Sequence, residues 1–120
     1  MVEISVVITT YNRGNLLKRA LQALLKQSLA PEVYEVIVVD DGSTDNTPEV
    51  VKQFMKKNEN LRYFRQKHKG LSAGRNLGIS KAKGKIIAFT DDDCVADRNW
   101  LENLLNTFGK SGDIVGVEGK

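Results

Sequence analysis

Short β-branched runs that alternate with segments of helical periodicity constrain this chain more than any other feature of its sequence. Ile4-Ser5-Val6-Val7-Ile8-Thr9 is apolar on both faces, as expected of a strand covered on two sides, and Tyr34 to Val39 is a second such run. Between them Leu16, Leu17, Ala20, Leu21, Leu24 and Leu25 recur at helical spacing, with Lys18, Arg19, Gln22 and Lys26 on the opposite face. Thr47-Pro48-Glu49 reads as an N-cap, a proline at the first helical position and an early acid, opening a helix whose apolar face is Val50, Val51, Phe54 and Met55. Leu61 to Arg65 predicts a third strand, Ala73 to Lys81 a third helix, and Ile86 to Thr90 a fourth strand. Trp100, Leu101, Leu104, Leu105 and Phe108 mark a fourth helix with Asp97 near its start, and Ile114 to Val117 begins a fifth strand. The economical architecture is α/β, a mostly parallel sheet with helices on both faces.

Length and composition narrow the class further. A chain of 120 residues is one domain, and its 41% hydrophobic and 28% charged content excludes disordered, fibrous and collagen-like chains. Cys94 is the only cysteine and His68 the only histidine, which excludes disulfide and zinc scaffolds. No apolar run approaches the ~20 residues needed to cross a bilayer, and Met1-Val2-Glu3 lacks the layout of a signal peptide. The expected location is cytoplasmic, at the cytoplasmic face of a membrane if a membrane segment exists elsewhere. The 18 basic and 15 acidic residues are unevenly placed. Residues 50 to 90 hold eleven basic side chains against Glu59 alone, whereas the aspartates collect as Asp40-Asp41 with Asp45 and as Asp91-Asp92-Asp93 with Asp97. A basic band beside acidic clusters suits a polyphosphate held partly through a metal, and equally suits a solvated surface or a weak nucleic-acid patch.

In a parallel sheet the ligand belongs at the carboxyl ends of the strands. Thr9-Thr10-Tyr11-Asn12 follows the first strand, Asp40-Asp41-Gly42-Ser43 the second and Asp91-Asp92-Asp93 the fourth, so distant segments converge on one rim. An Asp-Asp-Gly turn needs no function to explain it. Three consecutive aspartates after a buried strand are costlier unless a cation or solvent screens them, and hard ions such as Mg²⁺ or Mn²⁺ prefer carboxylate oxygens.

Four motifs in order carry a resemblance: Ser-Val-Val-Ile-Thr-Thr-Tyr-Asn-Arg at 5 to 13, Val-Val-Asp-Asp-Gly-Ser-Thr-Asp-Asn-Thr at 38 to 47, Gly-Leu-Ser-Ala-Gly-Arg-Asn-Leu-Gly-Ile at 70 to 79, and Ala-Phe-Thr-Asp-Asp-Asp at 88 to 93. Together they resemble the nucleotide-sugar-binding half of the family 2 glycosyltransferases. The resemblance implies a Rossmann-like GT-A fold across residues 1 to 120, ending before the acceptor-binding half. It also implies a nucleoside-diphosphate sugar, UDP-linked by default, and a Mn²⁺ or Mg²⁺ cofactor for inverting transfer to an acceptor sugar or lipid. By the same resemblance Thr9 and Tyr11 line the base pocket, Asp41 accepts a hydrogen bond from the base beside Asp40, and Arg75 stands at the edge of the nucleotide site. Asp91 opens the DXD motif, Asp92 touches the ribose and Asp93 ligates the metal. The chain departs from the family's usual pattern at Gly74 and at Cys94.

Inversion needs a base for the acceptor hydroxyl, and the resemblance places it in the acceptor-binding half, beyond Lys120. After the triplet only Asp97, Glu102, Asp113 and Glu118 carry carboxylates, none in a segment resembling the family's base motif. Two rivals fit parts of the pattern. Asp91-x-Asp93-x-Val95 matches the nucleophile motif of haloacid-dehalogenase-type phosphatases, although that motif normally opens its fold on the first strand. A non-enzymatic nucleotide- or polyanion-binding module would use the basic band alone. The expected partners exclude nucleic acid and include a second copy of the chain, paired through an exposed sheet edge. His68, between Lys67 and Lys69, reads as a solvated loop residue, and Cys94 as a small, partly buried thiol.

Overall fold

The computed structural model describes residues 1–108 and the backbone of 115–118. It contains β1 (Ile4–Thr10), α1 (Gly14–Leu24), β2 (Tyr34–Asp40), α2 (Thr47–Met55), β3 (Leu61–Arg65), α3 (Leu71–Lys81), β4 (Ile86–Asp91), α4 (Trp100–Phe108) and β5 (Val115–Glu118). The strands lie in the order β3-β2-β1-β4-β5, and every pairing is parallel. The expected strand–helix alternation is therefore the observed one. Ile114 and Asp113 lie outside the described residues, as does the side chain of Glu118.

The double-sided burial read from β1 and β2 follows from helices on both faces. Ile4, Val6 and Ile8 of β1 and Val36 and Val38 of β2 pack with Leu17, Leu21 and Leu24 of α1, Val51 of α2, and Leu101 and Leu104 of α4. On the other face α3 covers Val7, Thr9 and Val39 and approaches closely because its inner positions are glycines. A Cβ on Gly78 would stand 2.4 Å from Val7 Cγ1, and one on Gly74 would stand 2.7 Å from Thr9 Cγ2. The departure at Gly74 thus has a steric reason in this chain: it lets the helix rest on Thr9, near the carboxyl end of β1.

Two local expectations shift. Thr47 is the first helical residue rather than the cap; Asn46 precedes it without a side-chain cap bond, and Asp45 Oδ1 accepts from Thr47 N and Oγ1 at 2.9 and 2.5 Å. The cap therefore comes from two residues further back than Ser/Thr-before-Pro suggests. α3 begins at Leu71 rather than Ala73, directly after Gly70, whose φ of 96° only glycine adopts readily.

At the amino-terminal end of the sheet a buried network closes the structure away from the aspartates. Glu35 accepts from Ser5 Oγ at 2.6 Å, Lys83 N at 2.7 Å and Arg62 Nη1 at 2.9 Å. Gly78→Ala should destabilise the chain by about 1–3 kcal/mol, the usual cost of overpacking a filled contact, read as a lowered urea midpoint with unchanged slope. Wild-type stability in that variant would mean that α3 does not rest on Val7 as described.

Candidate functional site

The strand order reverses direction at β1: β2 and β3 extend to one side, β4 and β5 to the other. At such a switch point the loops leaving adjacent strands diverge and open a crevice at their carboxyl ends. A cavity of about 260 Å³ lies there, lined by Thr9, Thr10, Tyr11 and Arg13 after β1, Asp41 after β2, Gly70 and Leu71 at the start of α3, and Asp92 after β4. A wider groove of about 710 Å³ between α1 and residues 95–98 is lined by Arg19, Lys26 and Arg98 and has no carboxylate. It offers neither a cation site nor an acidic hydrogen-bond acceptor.

The loops that form the crevice are tied to one another. Asn12 adopts φ 52°, a conformation Asn tolerates, and its side-chain oxygen accepts from Thr44 N at 2.7 Å and Asp45 N at 3.2 Å. Its own N–H donates to Ser43 Oγ at 2.9 Å, and Gly14 N donates to Asp45 Oδ2 at 3.2 Å. Tyr11, which precedes this turn, is held out over the crevice, 42% exposed.

Neighbouring aspartates face opposite ways because the backbone alternates. Asp40 is fully buried: it accepts from Ser43 N at 2.8 Å and from Tyr63 Oη at 2.5 Å, with Arg65 Nη1 at 3.5 Å. Burial and the carboxylate beside it push the Tyr63 phenol up to about 12. Asp41, 6% exposed, turns into the crevice instead. Its Oδ1 accepts from Gln66 Nε2 and Lys69 N, both at 2.8 Å; its Oδ2 accepts from Gly70 N at 3.1 Å and lies 3.0 Å from His68 Nδ1. Burial alone would raise this carboxyl, but those hydrogen bonds outweigh it and hold the group below the ordinary carboxylate range.

The aspartate triplet divides in the same manner. Asp92 is buried in the crevice, where Thr10 Oγ1 donates to it at 2.9 Å and Arg13 Nη1 at 3.3 Å. Its desolvation prevails over these partners and, together with the charge of Asp93, raises its carboxyl. Asp91 and Asp93 are exposed, and one ligand atom from each, with the half-buried Cys94 sulfur, lies within 4.8 Å of the others. Desolvation and the two neighbouring carboxylates raise the Cys94 thiol, so it stays protonated, with Asp93 Oδ1 3.7 Å from its sulfur. The anionic ligands on offer are two hard oxygens, a set that fits Mn²⁺ or Mg²⁺.

The family model described as Glycosyl transferase family 2 matches residues 5–118. The chain belongs to glycosyltransferase family 2. Among curated relatives of this family 2 chain, glycosyltransferase AglE of Haloferax volcanii is 38% identical over 115 residues, covering 94% of this chain and 38% of the relative. Glycosyltransferase GlyG of Streptococcus pneumoniae is 40% identical over 114 residues, covering 93% and 37%. The chain thus spans a little over a third of the length of these relatives. Among solved structures, Staphylococcus aureus TarS in complex with UDP-GlcNAc superposes with a TM-score of 0.84 at 28% identity, over 91% of this chain and 32% of that one. The Pyrobaculum calidifontis mannosyltransferase PcManGT, in complex with GDP-Man and Mn²⁺, gives 0.84 at 26% identity, over 91% and 33%. The fold is that of the GT-A glycosyltransferases.

Of the residues singled out in the sequence of this family 2 chain, the structure brings Thr9, Tyr11, Asp41 and Asp92 to the crevice wall and sets Asp91 and Asp93 together beside it. Asp40 is not among the crevice-lining residues: its carboxylate is buried between Ser43, Tyr63 and Arg65. Arg75 is not among the crevice-lining residues; its guanidinium lies 5.0 Å from the centre of the Phe89 ring. His68 is exposed, as expected of a loop residue, and in addition it contacts both Asp41 and Tyr11. Thr10, Arg13 and Gln66 were not legible as site residues, although the Thr9-Thr10-Tyr11-Asn12 segment already placed Thr10 on the rim. The phosphatase reading fails on position, because the aspartates end the fourth strand of a family 2 fold.

A carboxyl lowered on folding contributes stability that is complete above its ordinary value of 3.8 and is lost as pH falls through the lower folded value. Stability to urea should therefore decline on acidification below about pH 4. Asp41→Asn, which cannot titrate, should flatten that decline; an unchanged acid limb would show that the carboxylate is not held as described.

Proposed function

We propose that this chain is the donor-binding part of an inverting glycosyltransferase that takes a nucleoside-diphosphate sugar with the help of a divalent cation. The observation that carries the reading is the convergence of three loops, from β1, β2 and β4, on one crevice whose wall alternates an aromatic ring, buried carboxylates and Arg13. The nucleotide sugars bound by TarS and PcManGT on the same fold support it. In this reading Tyr11 packs against the base above Thr9, Asp41 accepts a ring N–H of the base, Asp92 accepts from the ribose hydroxyls, and Arg75 lies at the edge of the site. Asp93, with Asp91, would hold Mn²⁺ or Mg²⁺, which when bound offsets the charge that develops on the diphosphate leaving group.

Arg13 keeps Asp92 oriented from one side and reaches 3.9 Å from Asp93 Oδ2 on the other, so it sets the spacing between the ribose-side and metal-side carboxylates. Thr10 fixes the second oxygen of Asp92. The proton of the acceptor hydroxyl would go to a base in the acceptor-binding part of the enzyme. Nearby carboxylates are engaged structurally: Asp97 Oδ2 accepts from Asn99 N at 3.0 Å and Glu102 Oε2 from Ser28 Oγ at 3.0 Å. Acceptor sugar or lipid is then positioned by groups other than those lining this crevice.

Calorimetry with UDP, with and without Mn²⁺, tests the reading. Asp93→Ala should remove the Mn²⁺-dependent gain in affinity, at least about tenfold, and leave metal-free binding as it was. Undiminished Mn²⁺-dependent binding in that variant would remove the metal assignment.

A further inference from the structure

Asp41 presents an arithmetic problem to any ligand that is to hydrogen-bond to it. An ionised carboxylate has about four lone-pair positions. In this structure Gln66 Nε2 and Lys69 N donate to Oδ1 and Gly70 N donates to Oδ2. The remaining position, on Oδ2, is covered by the His68 ring, whose Nδ1 stands 3.0 Å away while hydrogen-bonded to the Asp41 carbonyl. Two of the three donors are backbone amides fixed by the loop that leads into α3, and the Gln66 side chain is half-buried. The loop is itself seated on Gly42, whose φ is 86° and where a Cβ would come within 3.1 Å of His68 N. His68 differs from these three: its side chain is 63% exposed.

The imidazole also occupies the aromatic contact. Its centroid lies 4.3 Å from that of Tyr11, the planes tilted by 38°, so the imidazole covers that face of the tyrosine. Nδ1 faces two groups that can only accept, Asp41 Oδ2 at 3.0 Å and Asp41 O at 3.2 Å, and therefore carries a proton. A planar ring stacked on Tyr11 and donating N–H to Asp41 is what a uracil or guanine base would present to the same two residues. His68 stands, moreover, between two concavities: the crevice on the Tyr11 side, and a second of about 460 Å³ lined by His68 with Gly42, Arg65, Gln66 and Lys67.

We infer that His68 is a resident occupant of the base position, which the nucleotide must displace in order to bind. This inference rests on the proposed nucleotide reading of the crevice and adds an intramolecular competitor to it. Displacement uncovers the remaining acceptor position on Asp41 Oδ2 and one face of Tyr11, and joins the two concavities into a longer trough. The contact lowers the apparent affinity by the fraction of molecules in which the imidazole is in place, and it favours ligands whose base supplies a ring N–H to repay the bond given up.

The test combines His68→Ala with nuclear magnetic resonance of the 120-residue chain. UDP binding to the alanine variant should be about three- to tenfold tighter, the value of one hydrogen bond and its ring contact. In the wild-type chain the His68 ring protons should carry the upfield shift of a stacked neighbour and lose it on saturation with UDP. If UDP binds while those protons keep their shift, or if His68→Ala weakens binding, His68 is a wall of the site and the inference is overturned while the nucleotide reading stands. If neither protein binds UDP, both fall. If the free chain shows no upfield shift, the resident position is not held in solution and the inference is overturned on that ground alone.

Discussion

Everything in the crevice depends on β1 being hydrogen-bonded in parallel on both sides. The register fixes Thr10 opposite Asp40 of β2 and Thr9 opposite Asp91 of β4. All three strands therefore end at the same level, and the loops that follow them begin within reach of one another. A slip of one residue in either pairing would exchange the two faces of a strand, turning Asp41 inward or Asp92 outward. The apolar faces prevent it: Ile4, Val6 and Ile8 must meet α1, and Val7 must meet the glycines of α3. The position of the carboxylates is thus decided by the burial of side chains that never touch a ligand.

The same alternation gives adjacent aspartates different work. Asp40 anchors Tyr63 and the turn at Ser43, while Asp41 faces the crevice with three donors and the His68 ring around it. Asp92 is drawn inward by Thr10 and Arg13, which leaves Asp91 and Asp93 as an exposed pair. Like charges placed in sequence are thereby separated in space. The raised carboxyl of Asp92 and the lowered one of Asp41 show how far two crevice carboxylates diverge, the first short of hydrogen bonds for its burial and the second rich in them.

The strands were legible in the sequence because both-face burial leaves continuous β-branched runs, and α1 because Leu17, Ala20, Leu21 and Leu24 mark one stripe at 3.6-residue spacing. Convergence of the polar loops followed from parallel topology alone. The contacts that give those loops their chemistry were hidden for two reasons. Which member of an Asp-Asp pair points inward depends on the exact last residue of a strand, and sequence pattern sets that only to within a residue or two. The His68–Asp41–Tyr11 contact joins residues 27 or more positions apart through a loop with no periodicity, and its turn over Gly42 is visible only in three dimensions. Thr47 misled for a related reason, since the side chain that caps α2 belongs to Asp45 and is aimed by its bond to Gly14.

The crevice at the carboxyl ends of β1, β2 and β4 is proposed to take a nucleoside-diphosphate sugar, and titration of the isotopically labelled chain with UDP-GlcNAc and Mg²⁺, followed through the backbone amides, is the decisive check. Shifts confined to residues 9–13, Asp41, Gly70, Leu71 and the amides of 91–94 are expected. Shifts centred on Arg19, Lys26 and Arg98, or none at saturating ligand, would overturn the proposal.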